Sequence, residues 1–200
     1  SWFLVGGSAL GLMGLPLSRG DWLTLTATVG GALFCLNYSL PVRGFRLKNI
    51  PLLKTFFAPT LVIASVFGLP VLHGFRPAFP LGSLALFWAW GLLFCNMLLC
   101  DLRDVEGDRR CGVVSVPTRL GERRVRGLLW GLVGLTSGAA VLIAVFSRRH
   151  GLLWLWLALT NSAYISGLIL AVCRGRSERF YEWCVEGVLF VPALTLALYR

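Results

Sequence analysis

Carboxylates are scarce in this chain, with nine Asp and Glu against nineteen Lys and Arg among 200 residues. Charged residues make up only 14% of it and hydrophobic residues 56%. A water-soluble domain of this length needs far more charged surface, so the composition excludes one and points to an integral membrane protein. Histidine is almost missing: His73 and His150 are the only two, and neither is near an acidic cluster. That argues against catalysis by histidine. The six cysteines, at 35, 95, 100, 111, 173 and 184, include no CxxC pair. Most lie in or beside apolar runs, which indicates small buried hydrophobes rather than a disulfide framework or a zinc site. The even alternation of a membrane β-barrel is also missing. So are the basic start and small-residue cleavage site of a signal peptide. The first residue is Ser1 and an apolar run follows at once, so the expectation is that an upstream portion is missing.

What the chain has in abundance is long charge-free runs. They occupy 1–17, 22–42, 55–75, 77–100, 127–147 and 151–173, and a seventh, roughly 180–199, carries Glu182 and Glu186 in its first turns. Crossing a bilayer takes ~20 such residues as a helix. The expected fold is therefore all-α: a polytopic transmembrane helix bundle of seven spans, forming one domain over 1–200 with no linker.

A net charge of +10 invites a nucleic-acid partner, but its distribution argues against one. Loops 43–54, 101–126 and 174–179 hold 4, 7 and 3 Lys/Arg, against five on the alternate side. Helix parity puts the three basic loops on one face, and the positive-inside rule assigns that face to the cytoplasm. The expected location is thus a cell inner membrane with the functional side facing the cytoplasm. The basic residues suit anionic lipid headgroups or a phosphate substrate.

Four of the nine carboxylates, Asp101, Asp104, Glu106 and Asp108, gather where the fourth run ends. The helix is expected to continue to about Glu106, with Gly107 able to end it. At about 100° per residue, Asp101, Asp104 and Asp108 fall within about 60° of one another, and Glu106 points about 140° away. Three carboxylates on one face repel unless a cation neutralises them, and oxygen-only donors select a hard ion such as Mg²⁺. Such an ion keeps positions for water and substrate phosphates. Arg103, Arg109, Arg110, Arg119, Lys48 and Lys54 could meet those phosphates. The plain alternative is a solvated loop whose Asp residues pair with neighbouring Arg, and spacing alone does not choose between the two.

These residues also carry a resemblance. "DLRDVEGDRRCGVVSVPTRLGERR" resembles the second Asp-rich motif of the UbiA superfamily of intramembrane prenyltransferases, with its Gly-Asp step and following (S/T)-x-P-x-x-L-G stretch. "YSLPVRGFRLKNIPLLK" is similar to an earlier cytoplasmic loop of that family, and "WCVEGVLFVPAL" to its last helix, where Glu186 aligns with an acidic position. The resemblance runs from Asn37 onward. It implies nine spanning helices around a lipid-accessible cavity, with Mg²⁺ held by two Asp-rich motifs. The first motif has no counterpart here, and Asp21 stands alone on the other side. The seven runs then match the family's third to ninth helices, and a chain without the first motif is expected to transfer little or nothing.

The implied reaction moves a prenyl group from an isoprenoid diphosphate to a small aromatic or lipid-precursor acceptor. Asp101, Asp104 and Asp108 would hold Mg²⁺ and act catalytically. Lys48, Lys54, Tyr38, Asn96 and Arg109 would contact the diphosphate. Trp88, Trp90 and Phe94 are candidates for an aromatic wall beside an allylic cation, although such residues commonly face lipid. "TNSAYIS" (160–166) places Asn161, Ser162 and Tyr164 at mid-membrane depth. They serve either interhelical hydrogen bonds or acceptor contact, and Glu186 joins them as a cavity residue. Two rival classes remain: a degenerate homologue that binds isoprenoid lipid without turnover, and a transporter-like bundle. The paired inverted repeats that would favour the second are not found.

Overall fold

The computed structural model describes residues 21–39, 53–74, 79–147, 150–172 and 178–199. The run 1–17 and Lys48 lie outside the described residues, as do the side chains of Tyr38, Lys54, Glu182 and Glu186.

Among the described residues the chain is helical throughout, without a strand. In order come α1 (Trp22–Ser39), α2 (Leu53–Leu72), α3 (Leu81–Arg110), α4 (Val116–Leu120), α5 (Glu122–Phe146) and α6 (Gly151–Ala171). A broken segment closes the chain: α7 (Glu178–Phe180), a π turn (Tyr181–Val185), a 3-10 turn (Glu186–Leu189) and α8 (Val191–Leu198). Four stretches are long and apolar enough to cross a membrane: Thr55–Leu72 within α2, and the whole of α3, α5 and α6. The architecture is that of an all-α membrane bundle; seven spans are not reached among the described residues.

The core lies where α5 packs between α3 and α6, with the closing segment laid over α3 and α6. Leu98, Leu99, Val125, Leu129, Ala140 and Val185 have no exposure there. Without a hydrophobic drive between helices in lipid, close backbone approach matters more. A Cβ on Gly91 would stand 2.3 Å from Thr136 Cγ2, so glycine is what lets α3 meet α5 at that level. Large apolar side chains such as Val145, Leu159, Leu170 and Trp183 point outward, as a lipid-facing surface requires.

Two expectations change. The α3 helix does not stop at Glu106: it runs through Gly107 to Arg110, where the Cys111 N–H still donates to Gly107 O at 3.0 Å. The break comes at Gly112, whose φ of 67° lies in the left-handed region that favours a residue without Cβ. Asp108 is therefore helical, and its place on the Asp101 face is real. The last run is not one continuous helix either. Pro192 has no N–H to give, and α8 places it in its first turn, where none is required.

Candidate active site

The site is built on one face of α3. Trp90, Phe94, Asp101, Asp104 and Asp108 fall within about 80° of each other at ~100° per residue. The upper part of this face packs on α2. The Phe94 ring lies 4.7 Å from Phe56 and 4.8 Å from Trp90, and the Trp90 indole N–H donates to Thr60 Oγ1 at 3.2 Å. Two turns further along, the Thr55 hydroxyl donates to Asp101 Oδ2 at 2.5 Å, and neither residue has any exposure. Thr55 and Phe56 are neighbours on α2, so one helix supplies both the aromatic contact and the carboxylate contact. Pro59, four residues on, has no N–H for the Thr55 carbonyl.

The three aspartates differ in setting. Asp101 is fully buried and Asp108 is 9% exposed. Asp104 is partly exposed and accepts from Arg103 Nε at 2.7 Å. Glu106 is exposed, with Arg110 at 4.0 Å one turn on, as its position away from the Asp face required. Beyond Gly112 the chain turns back sharply. Ser115 N–H donates to Thr118 Oγ1 at 2.9 Å, Pro117 sits in the first turn of α4, and Gly121 at φ 81° separates α4 from α5. The Ser-x-Pro-x-x-Leu-Gly stretch is thus a compact helical turn packed between the ends of α3 and α5.

Among the described residues, no three His, Cys, Asp or Glu side chains are gathered closely enough to hold a metal ion. Asp101 is turned to α2 and Asp104 to Arg103. The chemistry of the donor set nevertheless fits a hard divalent cation. The donors are all oxygen, and a fully buried carboxylate is costly unless hydrogen bonds or positive charge compensate it.

Several expected residues sit elsewhere. Trp88 packs edge-on against Trp154 of α6 at 5.3 Å, on the far side of α3 from Trp90, because residues two apart on a helix diverge widely. The aromatic wall is therefore Trp90, Phe94 and the unforeseen Phe56. Asn96 is buried, about 140° round from Asp101, and its Oδ1 has no hydrogen-bond partner among the described residues. The Asn161 amide donates to Leu157 O of its own helix at 2.8 Å. Ser162 bonds Ser137 of α5 at 2.5 Å, an interhelical link. The Tyr164 hydroxyl donates to Cys184 O in the π turn at 2.7 Å and lies against Gly187, where a Cβ would come within 2.6 Å. Tyr164 thereby supports the break in the closing segment. Arg109 is exposed on the last turn of α3. Thr55 and Phe56 carried one sequence signal: they directly follow Lys54 at the edge of an apolar run that leads into the basic loop.

The sequence profile of the UbiA prenyltransferase family matches residues 1–180. The chain belongs to that family. A UbiA-family protein of Haloferax volcanii, a lycopene elongase/hydratase, is 30% identical over 150 residues, covering 73% of this chain and 46% of the relative. The chain thus spans less than half the length of that relative. No solved structure matches it. Family membership and four helices long and apolar enough to cross a membrane make this a membrane protein of prenyltransferase type.

Proposed function

We propose that the α3 face transfers a prenyl group from an isoprenoid diphosphate to a small aromatic or lipid-precursor acceptor, in a Mg²⁺-dependent reaction at the cytoplasmic side of a cell inner membrane. The observation that carries the reading is the order of residues along that face. An aromatic section (Phe56, Trp90, Phe94) leads directly into a carboxylate section (Asp101, Asp104, Asp108). A substrate with an apolar tail and a diphosphate head has the same order.

Mg²⁺ held by Asp101, Asp104 and Asp108 would supply charge neutralisation for the departing diphosphate. Thr55 fixes the Asp101 carboxylate through its hydroxyl. Arg109, and Lys48 and Lys54 from the other basic loop, add positive charge for phosphate oxygens. The ring faces of Trp90, Phe94 and Phe56 stabilise an allylic cation and keep water from it. The name of the Haloferax relative adds lycopene to the acceptors worth testing, beside aromatic acids, quinone precursors, tetrapyrroles and glycerol phosphate.

Purified protein in lipid discs should bind isoprenoid diphosphate only with Mg²⁺. Asp101→Asn and Asp104→Asn should each weaken that binding, and any transfer, by roughly 10²–10³, the scale of losing one charge-stabilising contact. Glu106→Gln should change little. Equal losses in all three variants would reduce the site to a plain acidic loop, and Mg²⁺-independent binding would remove the cation from the scheme. Orientation has its own test. A thiol probe applied outside intact cells should reach a cysteine placed at residue 149 and miss one at 106; the reverse pattern would put the site on the other face.

A further inference from the structure

Arg103 and Asp104 are sequence neighbours, and neighbours on a helix project about 100° apart rather than toward each other. Yet Arg103 Nε stands 2.7 Å from Asp104 Oδ1 and Nη2 stands 3.5 Å from Oδ2. One side chain must be folded sideways. Arg103 has a reason to stay: its guanidinium carbon lies 5.3 Å from the centre of the Tyr181 ring, and that ring is only 4% exposed in the core. Tyr181 opens the π turn of the closing segment, and such turns recur at functional positions. The carboxylate is thus drawn toward a guanidinium that the aromatic face holds in place.

Resting on the diphosphate reading above, we propose that Arg103, seated on Tyr181, is the exchangeable counter-ion of Asp104. A divalent cation competes with Arg103 for that carboxylate, and the released guanidinium takes phosphate oxygens of the diphosphate. The strengths fit an exchange. Both partners are more than a third exposed, at 39% and 37% of their side-chain surface, and exposed pairs of this kind are weak. Guanidinium is also the side-chain cation best matched to phosphate, through its planar fork of donors. Arg103 is therefore a positioning residue for Asp104 and a contact for the head group.

The test uses the full chain in lipid discs with two probes: Mn²⁺ alone, followed by its electron paramagnetic resonance signal, and inorganic pyrophosphate at saturating Mn²⁺, followed by calorimetry. Arg103→Gln should bind Mn²⁺ about two- to fivefold more tightly, the range of one exposed ion pair. It should bind pyrophosphate about tenfold more weakly, as for a lost hydrogen bond to a charged group. Arg103→Lys, which keeps the charge but not the planar fork, separates direct contact from charge at a distance: it should still weaken pyrophosphate binding, whereas a pure charge effect would leave that affinity unchanged. Tyr181→Leu should weaken pyrophosphate binding, and Tyr181→Phe, which keeps the ring face, should restore it. Arg103→Gln that weakens Mn²⁺ binding or leaves it unchanged overturns the exchange, and equal losses in Tyr181→Phe and Tyr181→Leu overturn the role of the ring. If the unaltered chain binds both probes and Asp101→Asn abolishes binding, the functional reading stands whatever Arg103 does. If the unaltered chain binds neither, that reading fails and takes this inference with it.

Discussion

Two Asp–Thr contacts lie at opposite ends of the bundle and use the same chemistry under opposite conditions. At the basic end, Thr55 of α2 donates to Asp101 of α3 at 2.5 Å, with both residues fully buried. At the other end, Thr24 donates to Asp21 at 2.6 Å through its hydroxyl and at 3.1 Å through its backbone N–H, beside the exposed ring of His73. The second contact is a helix N-cap: it satisfies an orphan donor of the first turn of α1, and water can replace much of what it does. The first joins residues 46 positions apart where water does not reach. A buried carboxylate must keep its donors or gain a cation. Geometry of the bond does not separate a candidate site from an ordinary cap here; burial does, together with what else shares the helix face.

The comparison breaks most easily at Thr55. Thr55→Val keeps the shape and removes the hydroxyl, so a buried carboxylate oxygen loses a donor. The expected cost is about 1.5–3 kcal/mol, the scale of a hydrogen bond to a charged group. It should be read as a lower unfolding temperature in lipid discs, with diphosphate binding weakened alongside because Asp101 is no longer aimed. Thr55→Ser should recover both. A Thr55→Val protein with unaltered stability and binding would mean that the buried contact is no more important than the exposed one.

Much of this is legible in the residues themselves. The apolar runs marked α2, α3, α5 and α6 because lipid leaves few other ways to satisfy a backbone. The Asp face was legible because i, i+3 and i+7 is a geometric statement about any helix. The misreadings have local causes. Gly107 looked like a stop, but a glycine ends a helix only when its backbone turns left-handed, and that happened five residues later at Gly112. Trp88 and Trp90 share a residue type but not a side of α3, as their spacing of two requires. The break over Tyr181–Leu189 left no mark in hydropathy, which does not distinguish an α turn from a π turn. The Thr55 pairing was hidden for another reason: Lys54 marks its place beside the basic loop, but its partner is 46 residues away.

The smallest expected effect is at Asp21, and acid is the way to see it. The Thr24 hydroxyl, then the Thr24 N–H, hold the Asp21 carboxyl below the usual carboxylate range, with a smaller contribution from His73 at 3.2 Å. A group whose folded value is depressed adds stability that is fully present above its unfolded value. That stability is lost as pH falls through the lower, folded one. The Thr24 contribution should therefore be constant above the ordinary carboxylate range and fade only in acid, below it. Asp21→Asn can still cap α1, because an amide oxygen accepts the same N–H, but it has no charge to lose. Its unfolding temperature should sit slightly below that of the unaltered chain at pH 7, by much less than for Thr55→Val, and the gap should close in acid. Unfolding curves of both proteins in lipid discs, from neutral pH into strong acid, make the comparison directly. A gap that persisted in acid, or that exceeded the Thr55→Val effect, would show that the exposed contact holds α1 to α2 by more than a helix cap.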